Sequence, residues 1–275
     1  MNSDYLSGYD TNTWGGMMAL DWTNCESCHI GAFFDYAKMN MDSSAPMGNF
    51  NLESNNYTIG LYGKWLGAFC TGGYGSLIAT IGISDMKSER EMYLDDSFKG
   101  KSNGLLPSIF YERGWIFFPC ERLSLNPFFN LQYAYFHNDA FTEEGYDEVG
   151  DPSKLALNVG DIDHHSLRTQ VGLRVNRDWM IGAEHDRRLT TRFKGAWLHD
   201  LLGECDPVVT TSHVGYPDFP VWNVKGNNAG RDWGIIGFGI DFNASYRLSF
   251  LFDYNCYVNQ YTTIHYGMAT MRFSF

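Results

Sequence analysis

The chain has 275 residues, a formal charge of −12 and a pI near 5.0. So acidic a surface repels phosphate backbones, which excludes nucleic acid as a partner. Mean hydropathy is −0.30 and no stretch approaches the ~20 apolar residues of a membrane helix. Aromatics at 16% and 29 glycines instead suit strands with aromatic girdles, in a membrane barrel or in a soluble all-β domain.

Taken from the N-terminus, period-two alternation predicts strands near 12–22, 29–41, 53–66, 72–84, 104–118, 123–137, 165–176, 189–201, 231–242, 245–256 and 264–275. In the third, Tyr57, Ile59, Leu61 and Trp65 interleave with Thr58, Gly60, Tyr62 and Lys64. In the sixth, Phe129, Leu131, Tyr133 and Tyr135 interleave with Asn130, Gln132 and Ala134. In the seventh, Leu167, Thr169, Val171, Leu173 and Val175 interleave with Arg168, Gln170, Gly172 and Arg174. Further on, Ile236, Phe238, Ile240 and Phe242 alternate with Gly237, Gly239 and Asp241. Tyr246, Leu248, Phe250, Phe252 and Tyr254 alternate with Arg247, Ser249, Leu251 and Asp253. The last segment puts His265, Gly267, Ala269, Met271, Phe273 and Phe275 on one face, and Tyr266, Met268, Thr270, Arg272 and Ser274 on the other. Successive side chains of a strand point to opposite sides, so each segment has one greasy and one wet face.

The connections carry a second signal. Short ones (Thr23 to Cys28, Leu66 to Thr71, Pro119 to Arg122, Asn243 to Ser245) alternate with long ones (Met41 to Glu53, Asp85 to Asn103, Asn138 to His164, Asp200 to Arg231). Only Asn176 to Arg188 is longer than its class. Tight turns at one end and large loops at the other are the pattern of a membrane barrel, and a soluble sandwich gives no reason for it. The long loops hold Asp95, Asp96, Glu143, Glu144, Asp147, Glu148, Asp151, Asp161 and Asp163, read as a solvated acidic surface.

The chain therefore reads as one all-β domain over residues 1–275, an antiparallel up-and-down transmembrane β-barrel of about twelve strands. Closure satisfies every backbone group, which lipid cannot do. Eleven strands are legible, and bacterial single-chain barrels normally carry an even number. A first strand upstream of Met1 is expected, or else a short strand inside 206–222. Met1 is followed by Asn2, Ser3 and Asp4, with neither the basic start nor the apolar core of a signal peptide. An exported barrel must have one, so the chain is expected to be the C-terminal part of a longer protein whose barrel closes poorly alone.

With these outward sets, Lys64, Glu112, Arg168, Arg174, Arg247, Asp253 and Arg272 point into the lumen. Ions persist there only when hydrated or paired. They predict a salt-bridge network that keeps the bore polar, and a polar track along which an unfolded chain slides. Arg113 then faces lipid, at a cost of about 2–4 kcal/mol at the midplane and much less near the edge, so it belongs at an interface.

The order of motifs resembles a known family. NPFFNLQYAYFHNDAFTEEG, from Asn126 to Gly145, begins near a Pro, runs through alternating aromatics and ends in a Phe-x-Glu outer loop. LALNVGDIDHHSLRTQVGLRV follows, then GAWLHDLL, RDWGIIGFGIDF, YRLSFLFDYN and the final strand, with FYERGW carrying Glu112 and Gly114. This is similar to the C-terminal translocator barrel of autotransporters, the type V secretion proteins. The resemblance covers most of the chain, most clearly from residue 104 onward. It implies a bacterial outer-membrane anchor that supports export of an N-terminal passenger to the cell surface. It also implies that Phe273 and Phe275 form a C-terminal signal read by the barrel-assembly machinery. The expected partners are outer-membrane lipid, that machinery and the chain's own passenger, with the barrel a monomer, no enzyme, and free of cofactor and metal. The family threads a helix through the pore ahead of the first strand. Nothing before Thr11 reads as that helix.

The remaining reactive groups are sorted by place. Cys25, Cys28, Cys70 and Cys120 fall in turns on one rim, Cys205 in an outer loop and Cys256 at an outer strand end. An oxidising compartment favours disulfides or free thiols over zinc, because turns around a rim spread the ligands apart. His164 and His165 lie beside Asp161, Asp163 and Ser166, which keeps an outer-membrane hydrolase open as a rival. A passive porin is the other. No Gly-x-Ser-x-Gly, phosphate loop or dinucleotide motif is present.

Overall fold

The computed structural model of the chain describes residues 9–25, 27–45, 48–67, 72–92, 97–146, 153–181, 187–202, 208–216, 220–225 and 230–274. Among the described residues, eleven long strands form a single antiparallel meander: β1 (Tyr9–Cys25), β2 (Cys28–Ala45), β3 (Gly48–Leu66), β4 (Gly73–Glu91), β5 (Ser97–Trp115), β6 (Leu123–Asn138), β7 (Ile162–Ile181), β8 (Arg187–Asp200), β9 (Asp232–Asn243), β10 (Leu248–Val258) and β11 (Thr263–Phe273). Each pairs with the next. Register keeps the sequence-defined faces together: Ile59 opposite Ile81, Leu173 opposite Gly195, Phe252 opposite Ala269.

The sheet is curled. Lys64 on β3 acts electrostatically on Glu112 and Arg174 of β5 and β7, on Arg192 of β8 and on Arg272 of β11. None of these strands is a sheet neighbour of β3, so only a shared concave face brings the charges to Lys64. Burial is inverted relative to a soluble protein. Ser54, Glu112, Asn130, Gln170 and Asp200 are buried, whereas Leu61, Ile236 and Met271 are 65%, 70% and 69% exposed. Apolar surface turned outward all along a sheet is stable only against lipid. On β7 the apolar outward run Leu167–Val175 covers the about ten residues that a tilted strand needs to cross the hydrocarbon.

Both rims are aromatic. At the short-turn end, Arg113, Arg177 and Arg247 lay guanidinium groups over Trp115, Trp179 and Tyr246, with carbon-to-centroid distances of 5.8, 4.6 and 5.1 Å. Arg113 stands two residues from the end of β5, at the interface where an outward charge costs least. At the long-loop end, Tyr133 and Tyr135 stack beside His165 and His137.

The structure departs from the sequence reading in three places. First, β2, β3, β4 and β5 extend well past the predicted outer ends, so the expected loops Met41 to Glu53 and Asp85 to Asn103 are mostly hairpin. Alternation reports contact with lipid, whereas a hydrogen-bonded ladder continues into water. Second, short strands do occur within 206–222, but Val208–His213 pairs with Trp222–Lys225 and Leu157–Val159 in a separate four-stranded outer sheet completed by Phe141–Thr142. They add nothing to the wall. This outer sheet is pinned by Arg90, whose Nε and Nη2 donate to Glu143 at 3.1 and 2.6 Å, with Phe98 buried beneath. Third, β10 starts at Leu248 rather than 245. The Ser245 hydroxyl accepts from the Arg247 and Leu248 amides, and the Leu248 carbonyl accepts from Ala244 and Ser245. Those bonds hold Tyr246 and Arg247 in the turn. At the ends of the sheet, no ladder joins β1 to β11 among the described residues.

Candidate functional site

The interior is organised around Arg174. Two glycines make room for it. A Cβ at Gly114 would lie 2.4 Å from the Tyr74 ring, and one at Gly172 would lie 2.6 Å from the Phe128 ring. With hydrogen in those places the two rings lie flat on the wall. The Arg174 guanidinium stacks 3.9 Å above Phe128. It donates through Nη1 and Nη2 to the two oxygens of Glu112, each at 2.7 Å, and through Nη1 to the Tyr74 hydroxyl at 2.9 Å. Tyr74 in turn donates to Glu112 at 3.1 Å. Beside this cluster Asn130 donates to Gln170 at 3.1 Å. A bidentate fork with a third donor is the geometry in which a sequestered ion pair is best compensated.

Around the bore the other charges pair more loosely. Arg168 meets Asp200 at 3.3 Å, and Ser166 donates to the same carboxylate at 2.6 Å. Arg192 meets Asp253 at 3.5 Å. Tyr62 donates to Asp21, and Arg272 acts on Tyr62 and Lys64. The result is a concave wall that offers alternating cations, carboxylates and hydroxyls to whatever fills the bore. The family model of the autotransporter beta-domain matches residues 2–255.

The chain belongs to the autotransporter beta-domain family. It is a bacterial outer-membrane β-barrel. Three solved structures share the fold: the translocator domain of the autotransporter NalP from Neisseria meningitidis (TM-score 0.73, 15% identity, 98% of this chain and 82% of that one), the beta domain of Bordetella BrkA (0.64, 12%, 97% and 92%) and the transport unit of Escherichia coli AIDA-I (0.58, 14%, 98% and 83%). Two relatives, each named an extracellular serine protease of Serratia marcescens, are 26% identical over 198 residues and 24% over 180. The aligned parts are 72% and 64% of this chain but 18% and 16% of those proteins. The chain thus spans about a fifth or less of the length of the relatives it matches.

In this autotransporter barrel, Lys64, Glu112, Arg168, Arg174, Asp253 and Arg272 stand on the inward parity of their strands. Glu112 and Arg174 touch, and Lys64 and Arg272 sit within electrostatic reach of each other. Arg247 is the exception: it lies in the turn, exposed, outside any strand. The sequence reading missed Tyr74, Arg192 and Lys194. The outward set Phe193 and Trp197 would have assigned Arg192 and Lys194 inward by parity, but no such local signal marks Tyr74 as a partner of Arg174, 100 residues away. Phe273 faces outward and Ser274 donates to Arg247 O at 2.8 Å, extending the last ladder. Phe275 lies outside the described residues, as do Cys70, Cys205 and the side chain of Cys25. Cys28, Cys120 and Cys256 are free thiols.

Parity also separates the residues of the hydrolase reading. His165 faces outward against Tyr133 and Tyr135, whereas His164 and Ser166 face inward. At the outer rim above the lipid band, the His137 imidazole is held above its ordinary pKa, first by its hydrogen bond to Asp163. The Asp163 carboxyl is held below its own by donors from Tyr135 and then His137.

Proposed function

We propose that this barrel is the translocator of an autotransporter: it anchors in the outer membrane and supports passage of an N-terminal passenger to the cell surface. The observation that carries the reading is the family match across residues 2–255. The inverted barrel supports it, with hydrocarbon outside and a paired, polar bore inside. The work is done by a stable lipid-facing band, a lumen that holds extended polypeptide without a fixed binding pocket, and a last strand with Phe273 on its outer face for the barrel-assembly machinery. It needs no catalytic residue and no cofactor, and the barrel acts as a monomer. Ser166, the serine next to His165 in sequence, is engaged by Asp200 on the opposite face of the wall from His165, which disfavours the hydrolase.

The test places an epitope in the N-terminal portion of the full-length protein. External protease should remove the epitope from intact cells, and deletion of residues 263–275 should leave it protected. An epitope that stays protected while the barrel is folded in the outer membrane would overturn the translocator. Large, steady single-channel conductance, undiminished in the full-length protein, would favour the porin.

A further inference from the structure

The geometry points to a divalent-cation site on the outer rim, built from His137, Asp161 and Asp163. His137 is the penultimate residue of β6 and stands directly opposite Asp163 of β7, and Asp161 immediately precedes β7. One ligand atom from each lies within 4.8 Å of the other two. The cluster faces outward just beyond the apolar band. This departs from the sequence reading, which assigned no metal ligands.

More than proximity supports the assignment. The two imidazole nitrogens have separate tasks available. Nδ1 faces the cluster at 2.9 Å from Asp163, while Nε2 is 3.3 Å from Asp139. A carboxylate on the far nitrogen is the arrangement that orients and polarises a metal-bound histidine. Tyr135 donates to Asp163, fixing a second ligand, and its ring stacks 6.5 Å from His137. The side chains acting on Asp163 are Tyr135, His137 and His165. Two carboxylates thus converge on one imidazole at the exposed outer rim. One nitrogen and two carboxylate oxygens suit a borderline ion of the zinc or manganese class better than calcium, which takes oxygen alone. A tetrahedral ion would keep one position open to water. Bound there, it ties the end of β6 to the start of β7 and fixes where the intervening outer loop leaves the wall.

The molecule carries its own controls. His199 faces Asp232 at 2.9 Å, and His265 faces Tyr254 at 2.6 Å, on the same outward surface with one carboxylate or none. Calorimetry of the detergent-extracted full-length protein with ZnCl2 should give one ion per chain with Kd of about 1 μM or tighter. Co2+ in its place should give visible absorption from nitrogen and oxygen ligation. His137→Gln and Asp163→Asn should each weaken Zn2+ by at least about tenfold, with His199→Gln unchanged. Heat-modifiable gel migration verifies that each variant is folded, and Asp161→Asn replaces any that is not. No zinc binding, unchanged affinity in either cluster variant, an equal loss in His199→Gln, or Ca2+ bound as tightly as Zn2+ would overturn the site. Because passenger display is not the readout, this result stands apart from the translocator test.

Discussion

Glu112 and Arg174 are tolerable in the wall only as a pair. The carboxylate is 9% and the guanidinium 26% exposed at the side chain, so removal of one partner leaves the other short of both counter-charge and solvent. Breaking such a pair costs about 3–5 kcal/mol, while replacing both members with apolar groups is often neutral. Glu112→Ala should therefore lower the thermal midpoint of the heat-modifiable form, and Arg174→Met should do the same. The double variant should recover most of the loss. Additive losses in the double variant would show that each residue works through something other than its partner. At this scale the sequence showed the charges and their parity but not their partners. Arg174 finds Glu112 at 62 residues' distance and Tyr74 at 100, and pairing across three strands depends on stagger, which no local pattern encodes.

A strand of this wall is two objects of different length. One is the lipid-facing run, about ten residues long because hydrocarbon is that thick. The other is the ladder, which reaches nineteen residues in β3, β4 and β5. Alternation defines the first and is silent about the second. That is why the predicted outer ends of β2 to β5 fall short of the ladder. Val171, on β7, lies at the centre of the lipid-facing run and is 53% exposed. Val171→Arg should cost about 2–4 kcal/mol in a bilayer, measured as a fall in the unfolding midpoint of the barrel in lipid vesicles. The same change at Trp179, on the rim, should cost about 0–1 kcal/mol. Equal costs at the two depths would mean that the band has been placed wrongly. The native Arg113, Arg177 and Arg247 obey the same depth rule, each lying beside an aromatic ring near the short-turn end.

In the whole molecule the contrast lies between the centre of the sheet and its ends. Strands β2 to β10 each have ladders on both sides, whereas β1 and β11 have one apiece among the described residues. Side chains nonetheless approach across the gap: Tyr266 of β11 acts with Asp35 of β2, and Arg272 with Tyr62 of β3. Amides of β1 and β11 in the 275-residue chain should exchange with solvent at least about tenfold faster than those of β4, because opening them breaks one ladder instead of two. Equal protection across all eleven strands would show that the seam is sealed by backbone bonds.

The sequence by itself determined the class of the molecule, the strands of the wall, the two faces of each strand and the parity of the charges that the strands carry. All of these follow from a side chain's immediate neighbours and the solvent it meets, and a period of two records that directly. Only the tertiary structure decided which interior ions bond, that Arg247 sits in a turn, that two acidic loops fold into an outer sheet, and that His137 meets Asp161 and Asp163. Those outcomes depend on the register between strands and on the curl of the sheet, which sum over the whole chain and leave no trace in any one segment.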